Sequence, residues 1–121
     1  MSSPAPLLVA PDERPRPLTV LGQEITVLAS AAQTGSFELF HMAGPADGGP
    51  PPHDHPWDEA FYVLRGEVHL TIGGVERTAI AGTTVVVPGG TTHWFRFGVG
   101  AEILSLTSSE GAAAVFADIA D

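Results

Sequence analysis

Between Leu18 and Leu106 glycine and proline cut the chain into runs too short for stable helices and patterned as strands, and this punctuation restricts the possible folds more than any other feature. Thr19-Val20-Leu21 meets a turn at Gly22 and continues as Glu24-Ile25-Thr26-Val27-Leu28. A small, polar connection, Ala29 to Gly35, then precedes Ser36 to Met42, which sets Phe37, Leu39 and His41 on one face and Glu38, Phe40 and Met42 on the other. Ala60 to Leu64, Glu67 to Ile72, Val75 to Ile80, Thr83 to Val87, His93 to Phe97 and Glu102 to Leu106 complete the set. Gly73-Gly74, placed between two alternating runs, specifies a hairpin with a primed turn. Roughly nine short strands with almost no helix imply an all-β, antiparallel, closed or double-sheeted architecture of the jelly-roll kind.

The ends of the chain follow other rules. Residues 1–18 hold five of the eleven prolines, densest in Arg14-Pro15-Arg16-Pro17, so an extended N-terminal arm is expected there, a frayed terminus before a strap on a partner subunit. Residues 19–121 are expected to form a single domain. At its end, Ala112 to Ala120 spaces Val115, Phe116 and Ile119 as a short C-terminal helix would. The chain has no cysteine, which excludes disulfides and thiolate metal sites. Fourteen acidic against five basic residues give a net charge of -9, which disfavours nucleic acid and anionic membrane surfaces as partners. No apolar run approaches the ~20 residues of a membrane span, and Met1-Ser2-Ser3-Pro4 lacks the start of a signal peptide, so a cytoplasmic location is expected.

The chemistry concentrates in Pro50-Pro51-Pro52-His53-Asp54-His55-Pro56-Trp57-Asp58-Glu59. On an extended chain His53 and His55 leave the same face, Glu59 follows at matching parity, and His93, after Pro88-Gly89-Gly90, is the candidate fourth donor. Three imidazoles and a carboxylate suit one divalent transition metal ion (iron, manganese, nickel, cobalt, copper or zinc) better than calcium or magnesium.

These residues also carry a family resemblance. His53-x-His55, three residues, Glu59, six residues, Gly66 resembles the first signature motif of the cupin superfamily, and Gly82, five residues, Pro88-x-Gly90, two residues, His93 resembles the second. Two positions depart from the pattern: the family's opening glycine falls on Asp47, and its closing asparagine on Phe97. The resemblance spans roughly Phe37 to Leu106 and implies a cupin double-stranded β-helix, or jelly-roll barrel. It also implies metal ligation by His53, His55, Glu59 and His93.

Parity extends the reading to a substrate pocket. Phe61 and Val63 share the side of Glu59, Phe95 and Phe97 that of His93, and with Val85 and Val87 they would wall an apolar cavity suited to a flat or greasy small molecule. His41 is a further candidate for the pocket, Trp57 and Asp58 for its mouth, and His69 is expected to face solvent. The outward Tyr62, Leu64, Val86 and Trp94 call for a cover, so a homodimer, common among cupins, is expected. From Pro52 to Gly66 the motif is similar to that of small single-domain cupins grouped with quercetin dioxygenases. That similarity implies a dioxygenase or oxygenase acting on a small enolic or phenolic compound, with dioxygen as co-substrate and Glu59 as a catalytic residue, either ligand or base. A redox-neutral isomerase or polyketide cyclase, and a non-catalytic small-ligand-binding cupin, are the alternatives.

Overall fold

Alternation along each strand decides which side chains meet the core. The computed structural model describes residues 4–109 and 111–120; the first three residues of the expected arm, and Glu110 and Asp121 of the expected domain, lie outside them. The strands are β1 (Leu18–Val20), β2 (Gln23–Ala29), β3 (Phe37–Ala43), β4 (Glu59–Arg65), β5 (Glu67–Ile72), β6 (Val75–Ile80), β7 (Thr84–Val87), β8 (His93–Phe97) and β9 (Glu102–Ser108). Helix α1 (Ala31–Thr34) lies between β2 and β3, and α2 (Ala112–Ile119) follows β9. Residues 4–17 run outside the sheets and contain one turn of 3-10 helix, Pro11–Glu13. Among the described residues no helix is long and apolar enough to cross a membrane.

Six strands form one antiparallel sheet in the order β1-β2-β3-β9-β4-β7, and three form a second in the order β6-β5-β8. The β5–β6 turn is Gly73-Gly74, both at positive φ, as the paired glycines require. One core joins the sheets: Ile25, Phe40, Phe61, Val63 and Ile103 from the larger pack with Val68, Leu70, Phe95 and Phe97 from the smaller. Phe61 meets Phe95 edge-on at 5.5 Å, and Phe95 meets Phe97 at 5.4 Å. Burying each such ring contributes on the order of 2–3 kcal/mol. The all-β jelly-roll expectation therefore holds, with the C-terminal helix in place.

Both departures from the family motif sit on one contact. Asp47 has φ 66, the left-handed conformation a glycine there would take. Its N–H donates to Phe97 O at 2.8 Å, and Phe97 N donates to Gly48 O at 2.9 Å. Phe97 is fully buried, so its ring packs the core where the family carries a polar side chain.

Two expectations need correction. The connection Ala29 to Gly35 contains α1, whose start is tied by Ser30 N donating to Gln33 Oε1 at 2.9 Å and whose end is closed by Gly35 in the left-handed region. On β3 the inward face is Glu38, Phe40 and Met42, so His41 points away from the barrel interior and pairs instead with Glu102 at 2.8 Å. A buried acid on the core face disguised the parity. Glu38 is accepted there because Oε2 receives the N–H of Ala31 and Oε1 that of Ala113, both at 3.0 Å, so one carboxylate anchors the first turns of α1 and α2.

Glu38→Ala should therefore lower the unfolding free energy by roughly 1–3 kcal/mol, because two part-buried N–H groups lose their carboxylate acceptor. Urea denaturation followed by circular dichroism checks this, and Glu38→Gln, which keeps one acceptor, should lose less.

Candidate metal centre

The candidate metal-binding stretch is pinned to β8 by backbone alone. His53 and His93 exchange both hydrogen bonds, His53 N to His93 O at 3.1 Å and His93 N to His53 O at 2.9 Å. Pairing stops there, so the strand expected through His53 and His55 is a single bridge. Pro51, Pro52 and Pro56 have no N–H with which to continue a ladder. The imidazoles converge nonetheless: ring centroids of His53, His55 and His93 lie 4.3 to 5.8 Å apart, and their ligand nitrogens lie within 4.8 Å of one another.

Each ring is fixed in the same tautomer. His53 Nδ1 lies 2.8 Å from Pro51 O, His55 Nδ1 2.9 Å from Trp57 O, and His93 Nδ1 2.8 Å from Thr91 O. A carbonyl only accepts, so Nδ1 carries the proton in all three and Nε2 presents a lone pair. Glu59, buried at the start of β4, places Oε1 3.1 Å from His55 Nε2 and 3.3 Å from His93 Nε2. Lone pairs and an anion thus face one another across hydrogen-bond distance with no proton assigned between them. A cation removes that conflict, either an extra proton on a ring or a divalent ion, and the donor set of imidazole nitrogens and one carboxylate oxygen fits a transition metal.

Local electrostatics agree. Without a metal the extra proton on a ring serves: burial works to raise the Glu59 pKa, but hydrogen bonds from a second ring proton on His55 or His93 and from Ser105, whose Oγ donates to Oε2 at 2.8 Å, outweigh it and hold the carboxyl at about 2. His55 is raised: burial opposes protonation, and the hydrogen bond and charge of Glu59 overcome it. His53 is lowered, mainly by burial, with the charge of His93 adding to the effect and the Pro51 carbonyl opposing it.

Neighbouring residues hold the loop in shape. The Trp57 indole stacks on the His55 ring at 4.6 Å and 11°. Asp58 accepts from Gly89 N through Oδ1 at 2.9 Å, and its own N donates to Ser108 Oγ at 3.0 Å, which ties the first motif to the second. Gly89 is required, since a Cβ there would sit 2.3 Å from Pro56 O.

A cavity of about 330 Å³ opens beside the cluster. His53, Asp54, His55, Trp57, Glu59 and Phe95 form its floor, Val20, Leu21 and Gln23 one wall, and Ala112, Val115, Phe116 and Ile119 of α2 another. No arginine or lysine is among its lining residues. Of the residues expected in the pocket only Phe95 borders it. Phe61, Val63, Val87 and Phe97 are buried in the core and Val85 packs against it, because the aromatic rings fill the barrel interior and displace the cavity to its mouth. His41 lies on the outer face of the larger sheet, and His69 is exposed. Trp94 belongs to the smaller sheet, beneath Arg96, apart from the exposed Tyr62, Leu64 and Val86 of the larger one.

Sequence reasoning missed Gln23, Ser105 and the α2 wall. Ser105 was accessible to it, as a hydroxyl in phase with Ile103 on the buried face of β9. Nothing local marks Gln23 or α2 as neighbours of the cluster, since long-range pairing and the docking of the helix bring them there.

Residues 40–108 match the family model described as the cupin domain, Cupin_2. Among curated proteins no relative matches the chain. Solved structures similar to it include KdgF from Halomonas sp. (18% identity, 91% of this chain and 99% of that one, TM-score 0.80). An RmlC-like cupin from Shewanella frigidimarina (16%, 93% and 99%, TM-score 0.80) and the polyketide cyclase RemF from Streptomyces resistomycificus (22%, 88% and 81%, TM-score 0.75) are also similar. At these identities the likeness concerns the fold.

Replacing a converging imidazole should cost most of the metal affinity. His53→Ala and His93→Ala are expected to bind zinc about 100-fold or more weakly, whereas His69→Ala matches the parent, as read by elemental analysis after dialysis. Protons compete for the same lone pairs, so zinc loading should fall as the solution is acidified, which titration at stepped pH measures.

Proposed function

Since the chain belongs to the cupin family, whose model covers residues 40–108, we propose that His53, His55, His93 and Glu59 hold one divalent transition metal ion and that the protein is a metal-dependent oxygenase of a small enolic or phenolic compound. The observation that carries this reading is the convergence of the His53, His55 and His93 rings, every Nδ1 proton already engaged, with Glu59 Oε1 beside the Nε2 atoms of His55 and His93. An ion bound there supplies Lewis acidity toward an enol or phenol oxygen and, if redox-active, electron transfer with dioxygen.

The chain's own groups divide the remaining work. In the metal-free site burial works to raise the Glu59 pKa, but a second ring proton on His55 or His93 and the Ser105 hydroxyl hold it at about 2, so the carboxylate is ionised before an ion arrives. So weak a proton acceptor is better suited to ligation through Oε1 than to acting as a base at neutral pH. Val115, Phe116 and Ile119 exclude water from one side of the cavity, and Phe95 and Trp57 offer aromatic surface to a flat substrate. With no arginine or lysine in the lining, a second anionic group on the substrate would find no countercharge, which favours a neutral molecule. The exposed Tyr62, Leu64 and Val86 are the face on which a second copy of the chain would pack.

A redox-neutral cyclisation or isomerisation is the second reading. It is favoured by the same apolar, uncharged cavity and by the likeness of the fold to a structure whose name is polyketide cyclase.

Oxygen uptake by protein loaded in turn with iron, manganese, nickel, copper or zinc, given a flavonol or a β-diketone, separates these readings. Product formed with oxygen consumed is expected; product without oxygen consumption would establish the redox-neutral reading instead. Tight binding with no product under any metal would leave a binding protein. Glu59→Gln, which replaces a carboxylate ligand by an amide, should reduce turnover on the order of 100-fold.

A further inference from the structure

Three buried side-chain polar atoms lack a hydrogen-bond partner among the described residues: Gln23 Oε1, Trp57 Nε1 and Thr107 Oγ1. Two of the three, an acceptor and a donor, belong to residues that line the cavity beside the histidine cluster. Native proteins keep few such atoms, because a buried polar group without a partner has lost its water and gained nothing. Where it is retained beside a void, a ligand is the economical complement.

Gln23 is the more informative of the pair. It is 4% exposed and is one of the residues that line the cavity. It opens β2 directly after the Leu21-Gly22 turn and pairs with Val20, another lining residue, so the backbone of the β1–β2 hairpin fixes where it stands. Around it the lining is apolar, with Val20, Leu21, Met42 and Phe116 offering no hydrogen bond from their side chains. A side-chain amide both donates and accepts, as does a hydroxyl group. A carboxylate would only accept, and the lining offers no arginine or lysine to neutralise it.

We propose that Gln23 is a specificity-determining residue, whose amide hydrogen-bonds a hydroxyl group on an otherwise apolar, aromatic substrate, separate from the oxygens that meet the metal cluster. The proposal rests on reading His53, His55, Glu59 and His93 as the metal centre and adds a second polar anchor to it. Trp57, which lines the same cavity and whose ring stacks on His55, offers aromatic surface to the same substrate.

The test uses full-length, zinc-loaded protein and isothermal titration with 3-hydroxychromone, whose adjacent hydroxyl and ketone chelate metals, and with its 6-hydroxy and 7-hydroxy derivatives. At least one derivative should bind the parent protein roughly 5- to 10-fold more tightly than 3-hydroxychromone itself. In Gln23→Leu, or in Gln23→Met should the leucine variant fold poorly, that advantage should vanish while affinity for 3-hydroxychromone stays within about twofold. Thermal stability without ligand should be equal or higher, because an apolar side chain replaces an unpaired polar one. A hydroxyl advantage that survives the substitution, or that is absent from the parent protein, overturns the proposal, as does a marked loss of stability, which would make Gln23 structural. Failure of zinc-loaded protein to bind 3-hydroxychromone at all overturns the metal reading and the proposal together, whereas binding without hydroxyl preference overturns the proposal alone.

Discussion

Four electron-rich atoms brought together without enough protons are the constraint on which the site depends. Backbone carbonyls take the Nδ1 protons of His53, His55 and His93, so the three rings converge through their Nε2 atoms, two of which, those of His55 and His93, also face Glu59 Oε1. Such a cluster is costly to bury, and it becomes favourable once a cation sits among the lone pairs. The expense is tolerated because the surrounding framework is stiff. The paired backbone of His53 and His93, the Asp58 link between the two motif loops and the close approach of Gly89 to Pro56 leave the rings little freedom to separate.

The barrel positions this cluster and the chain ends enclose it. Phe61, Phe95 and Phe97 fill the interior between the sheets, so the space for a ligand lies at the mouth. There the β1–β2 hairpin and α2 supply walls from opposite ends of the sequence. Glu38 links the second wall to the barrel by accepting from Ala113 N, and Phe116 packs edge-on against Phe40 at 5.1 Å. Shape and polarity of the cavity therefore depend on elements outside the two histidine motifs. A shared fold fixes where chemistry happens, and such walls decide on what.

Much of this was legible in the sequence, for identifiable physical reasons. Period-two alternation located the strands, and the inward parity of Glu59, Phe61 and Val63 matches their burial. The metal-binding candidates were legible because ligation needs particular side chains at spacings that local backbone geometry sets. Parity failed where it met volume: it says which side chains point inward, not whether they leave a hole, and so Phe61, Val63, Phe97, Val85 and Val87 were placed around a cavity they in fact fill or support. It failed again at β3, where the buried Glu38 made the core face look like the wet one and drew His41 toward the pocket. Helix α1 carried a readable signal in Ser30 and Gln33, overlooked because the segment is small and polar. Gln23 and the α2 wall carried none, since only tertiary pairing brings them to the cluster.

The most direct test of the account is nitrogen NMR of the histidine rings during a zinc titration, which reports the protonation and ligation of each Nε2 separately. The account predicts that the Nε2 resonances of His53, His55 and His93 move together, complete at one equivalent of zinc, with each Nδ1 still protonated, while His41 and His69 remain unchanged. An Nε2 of the three that stays put, or a ring that binds through Nδ1, would contradict it.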